Sequence, residues 1–278
     1  MKKIIIVLAI LTAGIGVFFY GAQKLFYNYF TAGSLKIKAQ AGLLDSQIVT
    51  EKDLKGLPEP VVRYMKFTGV VGKKKISFVR LKHSGTFKTG PDKPFMPIKG
   101  EYYVTTKKPS FSWYGILTMA PGLTAAAYDS YFDGRGRMLV KVMSIFNIAD
   151  AQGEKTAKSA FGRCVAEMSM APTLFLNRDF IKWEKVGKNS AEFIMNDGKY
   201  SAEAKITVND DGSPSSFTVM RYYGEDDKTA TLEKFTGKAS EYREYSGYVL
   251  PSKFDGYWNL KSGDLHYVSF DVDSVEIE

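Results

Sequence analysis

The sequence predicts a mainly β protein: a curved antiparallel sheet or half-barrel covered by one or two helices and preceded by an N-terminal transmembrane helix. Three observations support this fold class. Beyond Gly72, apolar and polar residues alternate over many short stretches, as in strands that bury one face. Turn-forming pairs such as Asp133-Gly134 separate these stretches, and such pairs favour hairpins. The chain also begins with a long run that carries no charge.

The N-terminal run extends from Ile4 to Ala22 and just reaches the roughly 20 apolar residues that a helix needs to cross a bilayer. A cleaved signal peptide also begins with lysines and an apolar core, but it needs small residues at the cleavage site. The residues around Tyr20-Gly21-Ala22 fit that requirement poorly. We therefore favour an uncleaved anchor, and a removed signal is the alternative.

Charge around the run predicts its orientation. Lys2 and Lys3 precede it, and positive residues tend to remain in the cytoplasm. Lys24, Lys36 and Lys38 on the other flank weaken this bias without reversing it. The expected location is a single-pass protein of the cell membrane with the bulk of the chain outside the cytoplasm, so the lipid bilayer is its first partner.

Three regions follow from these patterns: an anchor or signal at 1–30, a stalk at 31–56, and a single β-rich extracytoplasmic domain at 57–278. The stalk is mixed in composition and weakly helical in pattern. Pro58 and Pro60 are placed to open a short helix from Val61 to Phe67, because proline is tolerated in a first turn.

Composition excludes several classes of protein. The net charge of +8 is spread along the chain, and no basic stripe with stacking aromatic residues predicts a nucleic-acid partner. A single cysteine excludes an internal disulfide. Protein partners and oligomeric state are not predicted.

The strands are predicted from alternation of period two, which is clearest between Val79 and Phe87, where apolar side chains face one way and polar side chains the other. The same pattern recurs in residues 111–119, 136–143, 200–208, 216–223, 229–245, 248–260 and 265–277. Together these stretches predict an antiparallel meander.

One helix interrupts the strands. Thr156 is a candidate N-cap, apolar residues from Ala157 to Met168 recur at helical spacing, and Pro172 follows. The apolar stripe is expected to pack on the inner face of the sheet, either over an open curved sheet or in the mouth of a barrel. Aromatic residues make up 14% of the chain, so the inner face can be a filled core or the lining of an apolar cavity.

Several motifs resemble those of a bacterial family known only as a domain of unknown function. The resemblance covers about residues 57–277, and the family pattern has a tryptophan where this chain has Ser169 or Met170. It implies no established activity. The motifs are Leu57-Pro58-Glu59-Pro60-Val61-Val62-Arg63-Tyr64, Phe67-Thr68-Gly69, Met119-Ala120-Pro121-Gly122-Leu123, Asp133-Gly134-Arg135-Gly136-Arg137-Met138, Ala166-Glu167-Met168, Pro172-Thr173 and Tyr242-Arg243-Glu244-Tyr245-Ser246-Gly247-Tyr248.

A second resemblance concerns the fold. Residues 100–104 followed by 108–113 are similar to the early strand pair of periplasmic lipoprotein carriers, which are curved half-barrels. This similarity implies a lipid-sized apolar cavity under a helical lid.

The candidate ligand-binding residues lie on the predicted helix, on one strand and at one turn. Glu167 is at the rim of the helical stripe, where a half-buried carboxylate needs a partner. It can form a structural bridge to an arginine, contact a ligand headgroup or act in acid–base catalysis. The full candidate set is Trp113, Met119, Asp133, Arg135, Arg137, Phe161, Glu167 and Met168.

Catalytic and metal sites are not predicted. Cys164 lies in the apolar stripe and His83 on the apolar face of a strand, where both types of side chain usually serve packing. His266 has only Asp264 nearby, too few ligands for a metal, and no cofactor is predicted.

These observations favour non-catalytic binding of a lipid or other apolar molecule in a cavity of a membrane-anchored envelope protein. A hydrolase acting on an envelope component, with Glu167 and Asp133 as its carboxylates, is one alternative. An envelope assembly or interaction module is the other, and it requires an exposed apolar patch.

Overall fold

The computed structural model describes residues 2–42, 47–224 and 226–278. Over these residues, thirteen strands form a single antiparallel sheet, which confirms the predicted mainly β fold with an open sheet and an N-terminal apolar helix. The strands are β1 (Phe78–Phe87), β2 (Met96–Thr105), β3 (Ser110–Ala120), β4 (Leu123–Phe132), β5 (Arg135–Val142), β6 (Phe146–Gln152), β7 (Ile181–Val186), β8 (Ser190–Asn196), β9 (Ser201–Val208), β10 (Pro214–Tyr223), β11 (Thr231–Tyr245), β12 (Tyr248–Leu260) and β13 (Gly263–Ile277).

The sheet consists of two meanders joined at one seam. Its order is β6-β5-β4-β3-β2-β1-β13-β12-β11-β10-β9-β8-β7, so β1 and β13 are the neighbours that no hairpin connects. Asp133-Gly134 forms the β4–β5 turn with φ angles of 49° and 71°, as expected of a two-residue hairpin. The sheet curls so strongly that its two arms meet: Tyr131 at the end of β4 donates a hydrogen bond to Asp197 in the β8–β9 turn.

The concave face of the sheet carries the main hydrophobic core. α2 (Glu59–Phe67) and two 3₁₀ turns, Met168–Met170 and Pro172–Leu176, close one end of it. α3 (Glu154–Glu167) crosses the concave face and contacts β3, β4 and β5 on one arm and β9 and β10 on the other. The helix therefore links the two arms of the curved sheet.

α3 begins earlier than its sequence indicates. Gly153 takes the N-cap position, and Asp227 from the β10–β11 loop accepts hydrogen bonds from the backbone N–H groups of Lys155 and Thr156 at 2.9 and 2.8 Å. The expectation that Thr156 caps the helix is wrong, because a carboxylate far along the chain satisfies the free N–H groups instead.

α1 (Lys2–Ala41) is a continuous helix of 40 residues, so the predicted boundary at residue 30 falls inside a helix. Its second half packs on the convex face against Tyr103, Tyr114 and Tyr128, and the residues it buries recur at spacings of three and four. The convex face of β2–β4 is therefore covered here, where simple alternation predicts exposure to water. The buried residues of α1 are Phe26, Phe30, Ser34, Ile37 and Ala41.

A buried carboxylate fixes α1 to the sheet. Glu101 of β2 accepts hydrogen bonds from Tyr27 Oη of α1 at 2.8 Å, from Tyr103 Oη at 2.9 Å and from Arg80 Nε at 2.6 Å. Burial raises the pKa of Glu101, but these hydrogen bonds and the charge of Arg80 outweigh it and hold the pKa below its usual value. The segment predicted as a stalk thus begins as a docked helix.

Phe30→Ala should lower the free energy of unfolding by about 3–5 kcal/mol, because it removes a fully buried aromatic ring from the α1–sheet contact. Denaturant unfolding of the full chain in detergent measures this change. Leu35→Ala is the matched control on the exposed side of α1, and it should change stability by less than about 0.5 kcal/mol. Equal midpoints for both variants would mean that α1 is a free stalk.

Candidate functional site

Four of the predicted site residues lie at the interface between α3 and the sheet. Phe161 and Met168 are fully buried, and Trp113 of β3 lies almost fully buried on the concave face. Glu167, at the last turn of α3, is half-buried. The apolar stripe of the helix therefore faces the sheet, as predicted, and the space directly below it is filled by side chains.

Arg163 is the centre of this region. Its Nη1 donates to Asp129 Oδ2 of β4 at 2.7 Å, and its Nε donates to Glu167 Oε1 at 3.0 Å. Burial acts to lower the pKa of Arg163, but the two carboxylates hold it above its usual value. Glu167 therefore forms the expected bridge within the helix, while the contact from helix to sheet is made by Asp129.

The Arg163 guanidinium also packs against aromatic rings. It lies 5.0 Å from the ring centroid of Trp113, 5.1 Å from that of Phe111 and 5.6 Å from that of Tyr102. A cation over ring faces is stabilised by their quadrupoles, more strongly where water is excluded. Arg163 thus forms two ion pairs and also packs on three aromatic rings, which we call the aromatic floor.

His83 of β1 lies next to this floor. Trp113 Nε1 donates to His83 Nε2 at 2.8 Å, which places the proton of the neutral imidazole on Nδ1. Burial, and then the charge of Arg163, lower the pKa of His83 to about 3. Nδ1 is buried and has no hydrogen-bond partner in the part of the chain that the structure describes.

Arg221 of β10 is the second buried guanidinium under α3. Its Nε donates to the carbonyl oxygen of Ser159 at 3.0 Å, and no ion pair joins it to a described carboxylate. Burial, and then repulsion by Arg163, lower its pKa to about 10. Gly162 makes this position possible, because a Cβ there would lie 2.9 Å from Arg221 Cγ.

The structure does not bring the other four predicted residues into this region. Asp133 and Arg135 lie at the exposed β4–β5 turn, where Lys108 pairs with Asp133 at 2.5 Å. Arg137 lies on the convex face and pairs with Asp150 at 2.8 Å and with Tyr29 Oη of α1 at 2.7 Å. Met119 is exposed at the end of β3.

Sequence reasoning missed Asp129 and Arg221. Both occupy inward-facing positions of strands, beside Ala127 and Tyr131 in β4 and beside Val219 and Tyr223 in β10. A charge at an inward position of an otherwise apolar strand face is the signal that could have identified them, since such a charge requires a buried partner.

The features that suggested catalysis are separated in the structure. Cys164 is buried in the core, and burial raises the pKa of its thiol. Glu167 and Asp133, the carboxylates of the hydrolase hypothesis, have different partners, Arg163 under the helix and Lys108 at an exposed turn. Among the described residues, no group of three or more His, Cys, Asp or Glu side chains is arranged to hold a metal ion.

α1 is long and apolar enough to cross a membrane. Its most apolar window of 18 residues has a mean hydropathy of 2.5 and is not buried in the protein. A signal sequence would have the same length and composition.

Asp129→Asn should reduce the free energy of unfolding by about 3 kcal/mol, because it leaves a buried guanidinium without its contact to the sheet. Glu167→Gln removes a partner that is only half-buried, so its cost should be about 1 kcal/mol or less. Denaturant titration of both variants measures the difference. Glu154→Gln, which removes an exposed pair with Lys158, is the control and should leave the midpoint unchanged. If Glu167→Gln lowered the free energy of unfolding more than Asp129→Asn does, Glu167 rather than Asp129 would be the residue that fixes α3 through Arg163.

His83 should make stability depend on pH. Its folded-state pKa of about 3 lies below the ordinary value of 6.5. The neutral imidazole therefore contributes its full share to the free energy of unfolding above pH 6.5, and this share is lost as the pH falls toward 3. Between pH 6.5 and 5, unfolding should become easier by about 1 kcal/mol per pH unit. Denaturant midpoints across this range measure the slope. His83→Gln should flatten it and His266→Gln should not; an unchanged slope in His83→Gln contradicts the assignment.

Comparisons with known proteins identify the family of this chain. Two solved structures are similar to this chain: a LolA superfamily protein from Nitrosomonas europaea, with 11% identity and a TM-score of 0.39, and a DUF1329 family protein from Desulfovibrio piger, with 9% identity and a TM-score of 0.35. They cover 80% and 79% of this chain and 94% and 91% of their own chains. No function is transferred from them at this level of similarity.

A search of curated proteins found no match. Residues 47–270 match a family described as a family of unknown function, DUF6544. The prediction that the chain belongs to a family of unknown function is confirmed by a match that covers most of the β domain. The chain therefore belongs to the DUF6544 family.

Proposed function

We propose that this chain is a membrane-tethered protein that binds a lipid or another apolar molecule on the concave face of its sheet. The carrying observation is that apolar side chains at one end of the concave face, which we call the open end, are only half-buried, and that α1 runs toward this end. The opposite end is closed by α2 and the 3₁₀ turns. We therefore assign the entry of an apolar ligand to the open end.

The open end is lined by apolar side chains from the middle strands. Phe87 of β1 and Met96 of β2 lie opposite each other in register, and Leu260 of β12 and Tyr267 of β13 approach the same end. All four are half-buried and pack against the main core. Convergent apolar and aromatic side chains of this kind are typical of ligand sites.

The direction of α1 supports a ligand that comes from the membrane. Along the helix toward its N-terminus, Phe30 contacts Tyr103, Tyr27 contacts Glu101, and Tyr20 approaches Lys99. The apolar run therefore continues past the end of β2 that carries Met96. Tyr20 shares a pocket of about 330 Å³ with side chains that include Lys24, Lys82, Lys99 and Ile116.

Three neighbouring hairpin loops at this end expose apolar side chains. We call them the membrane-side loops: β1–β2, β3–β4 and β5–β6. Their exposed apolar residues are Phe95, Met119, Leu123, Phe146 and Ile148. Lys88 and Lys93 lie in the first loop, and lysines near a bilayer surface are favoured by anionic lipids. The loops suit contact with headgroups better than contact with water.

Packing of α1 favours an anchor over a removed signal. Cleavage near Ala22 would cut a continuous helix one turn before Phe26, where its buried stripe begins. We infer that the apolar run remains attached and holds the domain outside the cytoplasm, with Lys2 and Lys3 on the inner side. Protein partners beyond the bilayer play no part in this proposal.

Native mass spectrometry of the full chain, released from membranes in mild detergent, tests the proposed binding. The wild-type protein should carry a co-purified lipid. Met96→Asp should reduce the lipid-bound fraction several-fold, because it places a charge at the open end of the concave face where a ligand would otherwise bury apolar surface.

Val186→Asp is the matched control, since Val186 is an exposed apolar residue on the edge strand β7. It should retain the lipid. Unfolding midpoints of both variants separate loss of binding from loss of structure. A wild-type protein without lipid, or lipid retained by a folded Met96→Asp variant, would reject binding on the concave face.

A further inference from the structure

Arg221 is buried in a way that calls for an anion. The residue is 9% exposed, and among the described residues its guanidinium makes one hydrogen bond, in which Nε donates to the carbonyl oxygen of Ser159. None of the carboxylates within residues 2–42, 47–224 and 226–278 pairs with it. A guanidinium has five N–H donors, so most of its donors remain available for a ligand.

Aromatic rings rather than acids surround this guanidinium. It lies 4.9 Å from the ring centroid of Phe235 and 5.2 Å from that of Trp258. Ring faces stabilise a cation, but they do not accept hydrogen bonds as a carboxylate or phosphate does. Arg221 is thus held between rings and forms no ion pair with a described carboxylate.

Trp258 provides a second, independent sign of a missing acceptor. Its side chain is 5% exposed, and its buried Nε1–H has no hydrogen-bond partner among the residues that the structure describes. An unsatisfied buried donor costs free energy, and it lies on the ring that flanks Arg221. Two unsatisfied donor groups therefore lie side by side on the concave face.

Nearby carboxylates either pair with Arg163 or form no ion pair with Arg221 among the described residues. Asp129 and Glu167 bind Arg163, which leaves no acid from that cluster for Arg221. Glu233 lies opposite Arg221 in the register of β10 and β11, yet the two form no ion pair among the described residues. Burial, and then the charge of Arg163, lower the pKa of Arg221, while the charges of Asp129 and Glu167 act in the opposite direction.

We propose that Arg221 and Trp258 bind the acidic group of an amphiphilic ligand, a carboxylate or a phosphate, whose apolar tail lies on the concave face. This inference rests on the proposed function, because it assigns the polar end of the same ligand. Arg221 lies two residues before Tyr223 at the end of β10, toward the open end of the concave face. A ligand can thus place its acid on Arg221 and its tail along the apolar strands.

The test compares two probes with the same tail, oleate and oleyl alcohol. The full chain is embedded in phosphatidylcholine nanodiscs and titrated with each probe, and native mass spectrometry measures the concentration that gives half occupancy. The wild-type protein should bind oleate roughly tenfold or more tightly than oleyl alcohol, as expected for charge-assisted hydrogen bonds in a buried site.

Arg221→Gln should abolish this preference and leave the binding of oleyl alcohol unchanged, while Arg221→Lys should keep part of it. Arg135→Gln, which removes the same charge at an exposed turn, is the control and should keep the full preference. Comparing variants at one lipid composition cancels the partition of each probe into the bilayer. A preference that survives in a folded Arg221→Gln variant overturns the assignment.

Further outcomes separate this inference from the proposed function. If the wild-type protein binds both probes equally, the acid site is wrong and binding of apolar molecules stands. If neither probe binds, the proposed function fails and this inference fails with it.

Inorganic phosphate is the probe for a free anion. If millimolar phosphate displaces oleate from the wild-type protein but does not displace oleyl alcohol, Arg221 recognises the acid itself. If phosphate binds the wild-type protein at Arg221 while oleate does not bind, the site recognises a free anion, and the assignment to an amphiphile is wrong.

Discussion

The structure depends on covering the concave face of a sheet that is too wide to close on itself. α3 does this by lying between the two arms, and Arg163 fixes it by pairing with Asp129 of β4 at 2.7 Å. This buried contact positions the helix together with the hydrogen bonds of Asp227 to its N-terminus and of Arg221 to Ser159. Charged groups at the centre of an apolar face are costly, and here they specify where the covering helix sits.

The opposite face has a different role. α1 packs on β2, β3 and β4 through a stripe that begins at Phe26, and Glu101 connects that stripe to Arg80 by hydrogen bonds. The helix that carries the apolar run is therefore part of the domain rather than attached through a flexible linker. As a result, the sheet cannot rotate freely with respect to the helix, and the same loops always face the direction in which the helix leaves.

Local patterns in the sequence predicted eight of the thirteen described strands, the Asp133-Gly134 hairpin and the apolar stripe of α3, because alternation and turn chemistry are read over a few residues. Sequence reasoning missed the docking of α1, although Tyr102, Tyr103 and Val104 are consecutive and apolar, as in a strand buried on both faces. The pairing of Arg163 with Asp129 and the isolation of Arg221 could not be predicted. They depend on which strands the curl of the sheet brings under the helix, and no local pattern encodes that.

The seam between β1 and β13 has a consequence for how the chain reaches this state. Every other strand pair is formed by neighbours in sequence, whereas β1 must pair with the last of the thirteen strands. Contacts between distant parts of a chain form slowly. Until β13 arrives, β1 presents an open edge to other chains, and such edges promote aggregation. A polypeptide that emerges N-terminus first therefore holds this edge unpaired while eleven further strands are made, and its exposure to misassembly is set by the time needed to deliver the final strand.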